Sequence, residues 1–399
     1  MEFSRVHIIK LVILSLAMVG TMTTWFSMTA VLPELIELWE LTSTEASLIT
    51  IMVQLGFVIG SLILAFLNLP DRIKPPMLFF VSASLAGLLT IFTVWFADDL
   101  TSALMMRFLT GVALSGVYGP GLKLITTWFR IRRGMALGFV VGALTLGSAT
   151  PHLVTGLGAP SWEVVLISTG LCSVLAGILV IVAVDVGPYL LPSSSKFNPR
   201  AIPRILSHKP VRLANYGYFG HMWELYAMWA WFGLFLAHSL ESRGMDSSGT
   251  ASILTFIIIA SGFFGAWFGG IYADRIGRER LTLWSLAVSG SISLVIGFFF
   301  GSPVWLIVSL GVIWGISIIA DSAQFSALIT EHTHPRYVGT ALTLQLAIGF
   351  LLTVIVILLV PMIEAIVGWQ YAFLILVPGP VLGFIAMFRL LLLQSKSNQ

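Results

Sequence analysis

Long apolar stretches constrain the fold of this chain more than any other feature. A membrane-spanning helix needs about 20 mostly apolar residues. Of the 399 residues, 57% are hydrophobic and only 10% are charged, which is more apolar surface than one soluble core can bury. The sequence therefore predicts an all-α membrane protein. We place twelve spans at residues 11–33, 45–67, 77–97, 101–129, 134–156, 162–186, 213–238, 249–272, 281–300, 304–329, 338–361 and 369–388.

The positions of the basic residues predict the orientation of the spans. Short loops rich in Lys and Arg stay on the cytoplasmic side of a membrane. With the N-terminus in the cytoplasm, 18 of the 21 basic residues fall in cytoplasmic segments. Arg243 lies outside, and Arg107 and Lys123 lie within predicted helices. Both termini are therefore expected in the cytoplasm, and the net charge of +3 reflects this topology and requires no nucleic-acid partner.

A duplicated loop divides the chain into two halves. The tripeptides Asp71-Arg72-Ile73 and Asp274-Arg275-Ile276 are 203 residues apart, and each follows the second span of its half. Two parallel repeats of six helices would give this spacing. Between them lies a polar, basic segment rich in helix breakers, which predicts a cytoplasmic linker. The expected domains are a six-helix bundle at 1–190, the linker at 191–210 and a second bundle at 211–399.

The second copy of the loop carries a recognisable motif. Gly270, Asp274, Arg275, Gly277 and Arg278 follow the pattern glycine, three residues, Asp-Arg, one residue, Gly-Arg. By this motif and its twelve spans the chain resembles the major facilitator superfamily over essentially its whole length. The resemblance implies two pseudo-symmetric six-helix bundles that rock around a central site, with the loops acting as a conformational latch. It also implies a monomer, and we expect a bacterial inner (plasma) membrane protein.

The first copy of the loop departs from that motif. Asp71 and Arg72 are retained, but Leu67 occupies the first glycine position and Lys74 the second. A glycine lets neighbouring helices approach closely. We therefore expect the gating role to involve Asp71 and Arg72 without close packing of the second span at this point.

Four charged side chains interrupt the predicted spans. A charge near a helix centre costs about 2.5 to 3.5 kcal/mol, so Arg107, Lys123, Glu224 and Asp321 mark candidate pathways or ion sites. The resemblance places their helices, the fourth, seventh and tenth, around a central cavity that solute can reach. At the repeat offset of 203 residues none of the four has a charged counterpart. This asymmetry favours a functional role for the four residues over a role in the repeated scaffold.

The seventh span carries the strongest candidate for proton coupling. Glu224 lies near its middle, and at about 100° per residue His221, Met228 and Trp231 share its face. An acid and an imidazole inside a membrane are groups that can load and release protons. We therefore assign proton coupling to Glu224, Asp321 and His221. The alternatives are that the carboxylate is structural and that His221 bridges two helices by hydrogen bonds.

Polar and aromatic side chains on the same helices are the expected solute contacts. Several lie along one face of the tenth span. On the fourth span Arg107 and Tyr118 are nearly in phase, and a carboxylate or phosphate would fit that face. Alternatives remain open for three of the charges. Arg107 could instead modulate the pKa of a nearby acid, and Lys123 could extend its side chain to the cytoplasmic surface. Asp321 could instead serve an inner gate. The expected substrate-binding residues are Arg107, Tyr118, Trp231, Trp314, Ser317, Gln324 and Lys123.

These residues predict a proton-coupled secondary transporter for a small organic solute. The buried arginine favours an anionic or zwitterionic metabolite. Export of an amphipathic or cationic compound, of the drug or siderophore type, is the alternative, although the adjacent Gly-Pro of the fifth span in drug antiporters is missing. Import or export, and symport, antiport or uniport, stay open.

Other function classes are disfavoured. Nitrate or nitrite exchange requires arginines in the second and eighth spans, which contain none. A membrane enzyme or a non-transporting sensor is disfavoured because the sequence shows no metal-ligand spacing, nucleophile elbow or phosphate loop. No cofactor or metal is implied; the expected partners are the solute, protons and the lipid bilayer.

Overall fold

A computed structural model describes residues 4–97, 99–158, 160–189, 197–247 and 249–397, without the side chains of residues 396 and 397. Long helices account for most of it. Short helices at Ser27–Ala30 and Leu32–Leu38 follow the first long helix, and Leu69–Arg72 follows the second. The long helices of the first half are α1 (Arg5–Met22), α2 (Ser43–Phe66), α3 (Pro75–Phe96), α4 (Leu100–Thr126), α5 (Arg133–Gly156) and α6 (Trp162–Ala183).

The second half repeats this pattern of long helices. A short helix, Ser322–His332, follows the fourth of them, and Trp369–Ala372 precedes the last. A 3₁₀ turn at Ile296–Phe299 extends the third. The long helices are α7 (Lys209–Glu241), α8 (Thr250–Ile276), α9 (Arg278–Val295), α10 (Val304–Ala320), α11 (Val338–Val367) and α12 (Pro378–Ser397).

Eleven helical segments of the described chain are long and apolar enough to cross a membrane. The remaining long helix is α7, with 33 residues. It is long enough to cross a membrane. Its apolar character is lowered by polar and amphipathic side chains such as Asn215, Tyr216, His221 and Glu224. The all-α membrane fold is thus confirmed, while a twelfth span and cytoplasmic termini stay predictions.

Three predicted spans are interrupted where continuous helices were expected. The span predicted at 369–388 is divided between Trp369–Ala372 and α12, with a 3₁₀ turn at Phe373–Leu376 between them. The span predicted at 11–33 stops at Met22, and helix resumes only at Ser27. The span predicted at 304–329 breaks at Asp321, between α10 and the helix Ser322–His332. Backbone groups freed at such breaks must find partners within the protein when they lie at membrane depth.

Helix contacts form two groups that meet along two helix pairs. In the first half α2 packs on α4 and α3 on α6; in the second, α8 packs on α10 and α7 on α12. Between the halves, α5 packs along α8, and α2 packs along α11. A Cβ atom on Gly138 would contact the Ala266 carbonyl, and one on Gly156 would contact Ile253. Small residues therefore allow close approach over the length of α5.

The predicted linker is described only in part. Residues 191–196 lie outside the described residues. After them, the backbone N–H of Asn198 donates to Thr340 Oγ1 at 3.0 Å, which ties this segment to the first turn of α11. The helix Ile202–Ser207 then leads into α7. The domain boundaries drawn from the sequence remain predictions.

Candidate functional site

A small cavity lies where the two halves meet. Its volume is about 30 Å³, and it is lined from the first half by residues including Trp25, Phe57 and Tyr118 and from the second by residues including Tyr226 and Phe350. That space holds roughly one or two water molecules, whereas ligand pockets typically measure about 300 to 1,000 Å³. The protein is therefore closed around its centre in this conformation.

Aromatic rings from both halves fill this centre. The ring centroids of Phe57 and Phe350 are 4.7 Å apart, and those of Tyr226 and Phe350 are 5.1 Å apart. Trp25 lies 5.0 Å from Phe57 and 5.6 Å from Phe350. Such separations are those of favourable aromatic pairs. Entry of a solute requires these four rings, which we call the central aromatic cluster, to separate.

Glu224 is buried behind the cavity, within the second half. Ser289 of α9 donates a hydrogen bond to Glu224 Oε2 at 2.8 Å, and the indole Nε1 of Trp314 donates to Oε1 at 2.7 Å. The side chain has no solvent exposure. Glu224 therefore links three helices, α7, α9 and α10, through its carboxyl group.

His221 and Asp321 form a second buried contact one turn away on α7. His221 Nδ1 lies 2.9 Å from Asp321 Oδ1, and each residue is 1% exposed. The other ring nitrogen, Nε2, has no hydrogen-bond partner within the described chain. Asp321 lies at the junction of α10 and the helix Ser322–His332, and its carboxyl reaches α7 from there.

The acid and imidazole groups lie on a different face of α7 from the cavity. Tyr218, Met222 and Tyr226 line the cavity, whereas Glu224 and His221 do not. We call Glu224, His221 and Asp321 the α7 acid cluster. One helix therefore connects the central space to a buried group of titratable side chains.

Arg107 stabilises the break in the first span. Its Nη1 donates to the carbonyl of Thr24 at 2.8 Å and lies 3.4 Å from Ser27 Oγ. Its Nη2 donates to the carbonyl of Trp25. A cation at these carbonyls, just beyond the C-terminus of α1, is also favoured by the helix dipole. The guanidinium therefore donates its hydrogen bonds to backbone carbonyls, and it does not reach the cavity.

Lys123, in the last turn of α4, contacts the loop of the first half. Its Nζ is 2.6 Å from Asp71 Oδ1 and donates to the carbonyl of Pro70 at 2.8 Å. The pair is partly buried, and Arg72 beside it is exposed. Lys123 therefore joins α4 to the first copy of the repeated loop.

None of the four membrane charges is among the lining residues of the central cavity in this closed conformation, and their roles stay predictions. Of the expected solute contacts, Tyr118 alone lines it within the described chain. Trp231 Nε1 donates to the Ile357 carbonyl at 2.9 Å, and the Ser317 hydroxyl donates within its own helix. Both polar groups therefore have a protein partner in this conformation.

The second copy of the loop packs against the first half. A Cβ atom on Gly270 would contact the carbonyl of Gly134, in the first turn of α5. The Asp274 carboxylate lies at the same turn, 3.0 Å from where a Gly134 Cβ would be, and an anion is favoured at a helix N-terminus. Gly277, with φ of 93°, adopts a conformation that favours glycine and separates α8 from α9.

Arg278 ties this loop to the helix after α10. Its Nε lies 2.7 Å from Glu331 Oε1, and its Nη1 donates to Gln324 Oε1 at 2.6 Å. Its Nη2 is 3.5 Å from Asp274 Oδ1. The Gln324 side chain therefore accepts a hydrogen bond from the loop. In the same loop, Arg275 lies over the Tyr272 ring.

Sequence reasoning missed the residues that fill the centre. Trp25, Phe57 and Phe350 carry no charge, and in a membrane chain an aromatic residue faces lipid as readily as a cavity. Ser289, the partner of Glu224, was also missed. The polar residues of the ninth span were the available signal for it.

Comparison with known proteins agrees with this architecture. The family model for the Major Facilitator Superfamily matches residues 14–268. The inner membrane transport protein RhmT of Escherichia coli (strain K12) is 28% identical over 271 residues, covering 61% of this chain and 62% of that protein. The 3-(3-hydroxy-phenyl)propionate transporter of the same organism is 31% identical over 113 residues, 28% of this chain and 26% of that protein. The chain thus matches less than two thirds of the length of either relative.

Solved structures of a bacterial homolog of the human lysosomal transporter Spinster share the fold. The inward-facing, unoccupied form gives a TM-score of 0.72 at 15% identity and covers 97% of this chain and 98% of that one. The inward-facing, occupied form gives 0.69 at 16% identity, covering 96% and 95%. At this identity the likeness concerns the fold.

The helices, the paired halves and the repeated loop define an integral, multi-pass membrane protein with a transporter fold. The chain belongs to the major facilitator superfamily.

Proposed function

We propose that this protein is a proton-coupled secondary transporter that moves a small organic solute by alternating access. One observation carries the proposal: helix α7 presents Tyr218, Met222 and Tyr226 to a closed cavity between the halves, and Glu224 and His221 to a buried cluster with Asp321. A change in protonation of that cluster would act on the helix that lines the solute space. Opening to either side requires the central aromatic cluster to separate.

The favoured solute is a small aromatic carboxylate. Phe57, Tyr226 and Phe350 offer rings on which an aromatic solute can stack. One relative is named a 3-(3-hydroxy-phenyl)propionate transporter, which supports this class. No charged residue lines the cavity within the described chain, so an anion would enter at a desolvation cost unless a proton moved with it. Symport of the acid with a proton follows from this argument.

Export of an amphipathic cation is the second candidate. The aromatic lining without a positive charge favours it, because aromatic faces attract cations. The two candidates differ in the sign of proton movement. A symporter carries protons with the solute, whereas an exporter of the antiport type carries them against it.

Proteoliposomes with a pH-sensitive dye inside would separate these candidates. External 3-(3-hydroxyphenyl)propionate is expected to acidify the lumen if the acid enters with a proton, whereas a cationic solute exchanged for protons would make the lumen alkaline. Both responses should be lost in Glu224→Gln and kept in Glu37→Gln, which removes an exposed carboxylate. Solute flux without proton movement in the unaltered protein would reject proton coupling.

A further inference from the structure

A large groove lies on the outer side of the second half, away from the central cavity. It has a volume of about 890 Å³ and runs between α7 and α12. Its floor is formed where the two helices touch, since a Cβ atom on Gly220 would contact the carbonyl of Gly379. Its walls are mostly apolar and include Phe219, Leu382 and Ile385. Leu382 is 63% exposed, so the groove faces outwards, where lipid surrounds the protein.

Three basic side chains gather at one end of this groove. Lys209 and Arg212 belong to the first turn of α7, and Arg389 lies near the end of α12. The helices run antiparallel there, because Gly217 faces Met387 and Gly220 faces Gly379, so the three cations lie toward the same end of the groove. The groove has no acidic residue among its lining within the described chain. Its charge is therefore complementary to an anion.

The length of the groove matches one leaflet of a bilayer. Along α7 its lining runs from Lys209 to Trp223, which at about 1.5 Å per residue corresponds to roughly 21 Å. Half of a hydrocarbon core of about 30 Å is about 15 Å. The remaining length spans the headgroup region, where the cations lie. The apolar part would hold an acyl chain and the basic end a phosphate.

We propose that this groove binds one anionic phospholipid from the leaflet on the side of the α7 N-terminus, which the charge distribution predicts to be cytoplasmic. Lys209, Arg212 and Arg389 would contact the phosphate. Arg212 also lies 3.4 Å from the Leu206 carbonyl through Nη1, which orients its side chain at the groove. Basic pockets between membrane helices recognise anionic headgroups in this way. A free phosphate would use the cations alone and leave the apolar walls uncovered.

The headgroup part of the proposal is tested by lipid titration of the purified full-length protein in detergent, with bound lipids counted by native mass spectrometry. Dioleoyl-phosphatidylglycerol is expected to occupy one site more tightly than dioleoyl-phosphatidylcholine. Each neutralised cation should weaken its binding about five-fold, since a basic residue near anionic lipid contributes about 1 kcal/mol. The test variant is Lys209→Gln with Arg212→Gln and Arg389→Gln; the matched control, which neutralises three exposed arginines elsewhere, is Arg5→Gln with Arg130→Gln and Arg280→Gln.

The apolar part is tested by filling the groove. Leu382→Trp with Ile385→Trp should lower phosphatidylglycerol binding at least ten-fold, whereas Leu175→Trp with Val182→Trp, at exposed positions on α6, should leave it unchanged. Equal binding of the two lipids, or equal loss in both charge variants, would overturn the proposal. Binding of glycerol phosphate as tight as that of the lipid would show a site for soluble anions instead.

Discussion

The two halves of the molecule bury charge in different ways. In the first half, Arg107 is bonded to backbone carbonyls at the break after α1. In the second half, Glu224 accepts hydrogen bonds from Ser289 of α9 and Trp314 of α10. His221 Nδ1 lies 2.9 Å from Asp321 Oδ1. An arginine stays charged in proteins, whereas carboxyl and imidazole groups exchange protons. The first arrangement suits a fixed structural charge and the second suits a switch.

The repeat supports this contrast. At the offset of 203 residues, Arg107 corresponds to Leu310 and Glu224 to Thr21. Neither buried charge therefore recurs at the equivalent position of the other half. A charge within a membrane helix is therefore a candidate for proton coupling when its partners allow it to change its protonation state. Substitutions can test each side of the comparison.

The largest loss of stability is expected for Arg107→Met. The carbonyls of Thr24 and Trp25 would be left without their donor, at a cost of about 1 to 3 kcal/mol each. Circular dichroism of the purified protein in detergent should show a markedly lower unfolding temperature. Arg107→Lys, which keeps the charge with a single donor group, should lose less. An unchanged unfolding temperature in Arg107→Met would contradict a structural role.

The next largest effect is expected for Gly270→Leu. The added side chain would meet the backbone of Gly134, force α5 and α8 apart and cost about 1 to 3 kcal/mol. Thermal unfolding followed by circular dichroism would measure this loss. Leu67, which occupies the equivalent position in the first half, is 49% exposed, so Leu67→Ala should change stability by about 0.5 kcal/mol or less. Equal effects at the two positions would mean that the two loop copies pack alike.

A smaller effect is expected at the ion pair of the first loop. Lys123 and Asp71 are partly exposed, and their coupling in a double-mutant cycle should be about 1 kcal/mol. The cycle compares Lys123→Met, Asp71→Asn and the double variant by thermal unfolding. Coupling should fall as salt is added. A coupling insensitive to salt would indicate that the loop geometry, and not the charge, holds the pair.

Among the buried charges, the smallest change in stability is expected for Glu224→Gln. The Gln carbonyl can still accept from Trp314, and its amide can donate to the Ser289 hydroxyl. We expect a shift of about 1 kcal/mol or less in the unfolding free energy. Glu224→Leu, which leaves both partners unbonded, should cost about 2 kcal/mol or more. A large loss in the Gln variant would place Glu224 with Arg107 as a structural charge.

The sequence predicted the long helices and the repeated loop because both are local patterns. Long apolar runs identify helices, and the spacing from Gly270 to Arg278 identifies the loop. Glu224 and Asp321 were also found from sequence, since a charge in an apolar run is conspicuous. Their exact partners depend on how α7, α9 and α10 pack, which no spacing along the chain encodes.

The role of Arg107 could not be predicted for a physical reason. The break after Met22 contains no glycine or proline, so nothing local indicates that Thr24 and Trp25 leave carbonyls free for a guanidinium. Tyr118 was expected beside Arg107, yet the structure places it at the cavity and Arg107 against α1. Which of two neighbouring side chains on a helix reaches the cavity depends on tertiary contacts.

The most direct test of the account compares two transport modes of Glu224→Gln in proteoliposomes, with 3-(3-hydroxyphenyl)propionate as solute. Exchange of labelled for unlabelled solute needs no net proton movement, whereas accumulation driven by a pH gradient does. If Glu224 carries the coupling proton, the variant keeps exchange and loses accumulation. If accumulation persists at the rate of the unaltered protein, the α7 acid cluster does not carry the coupling proton.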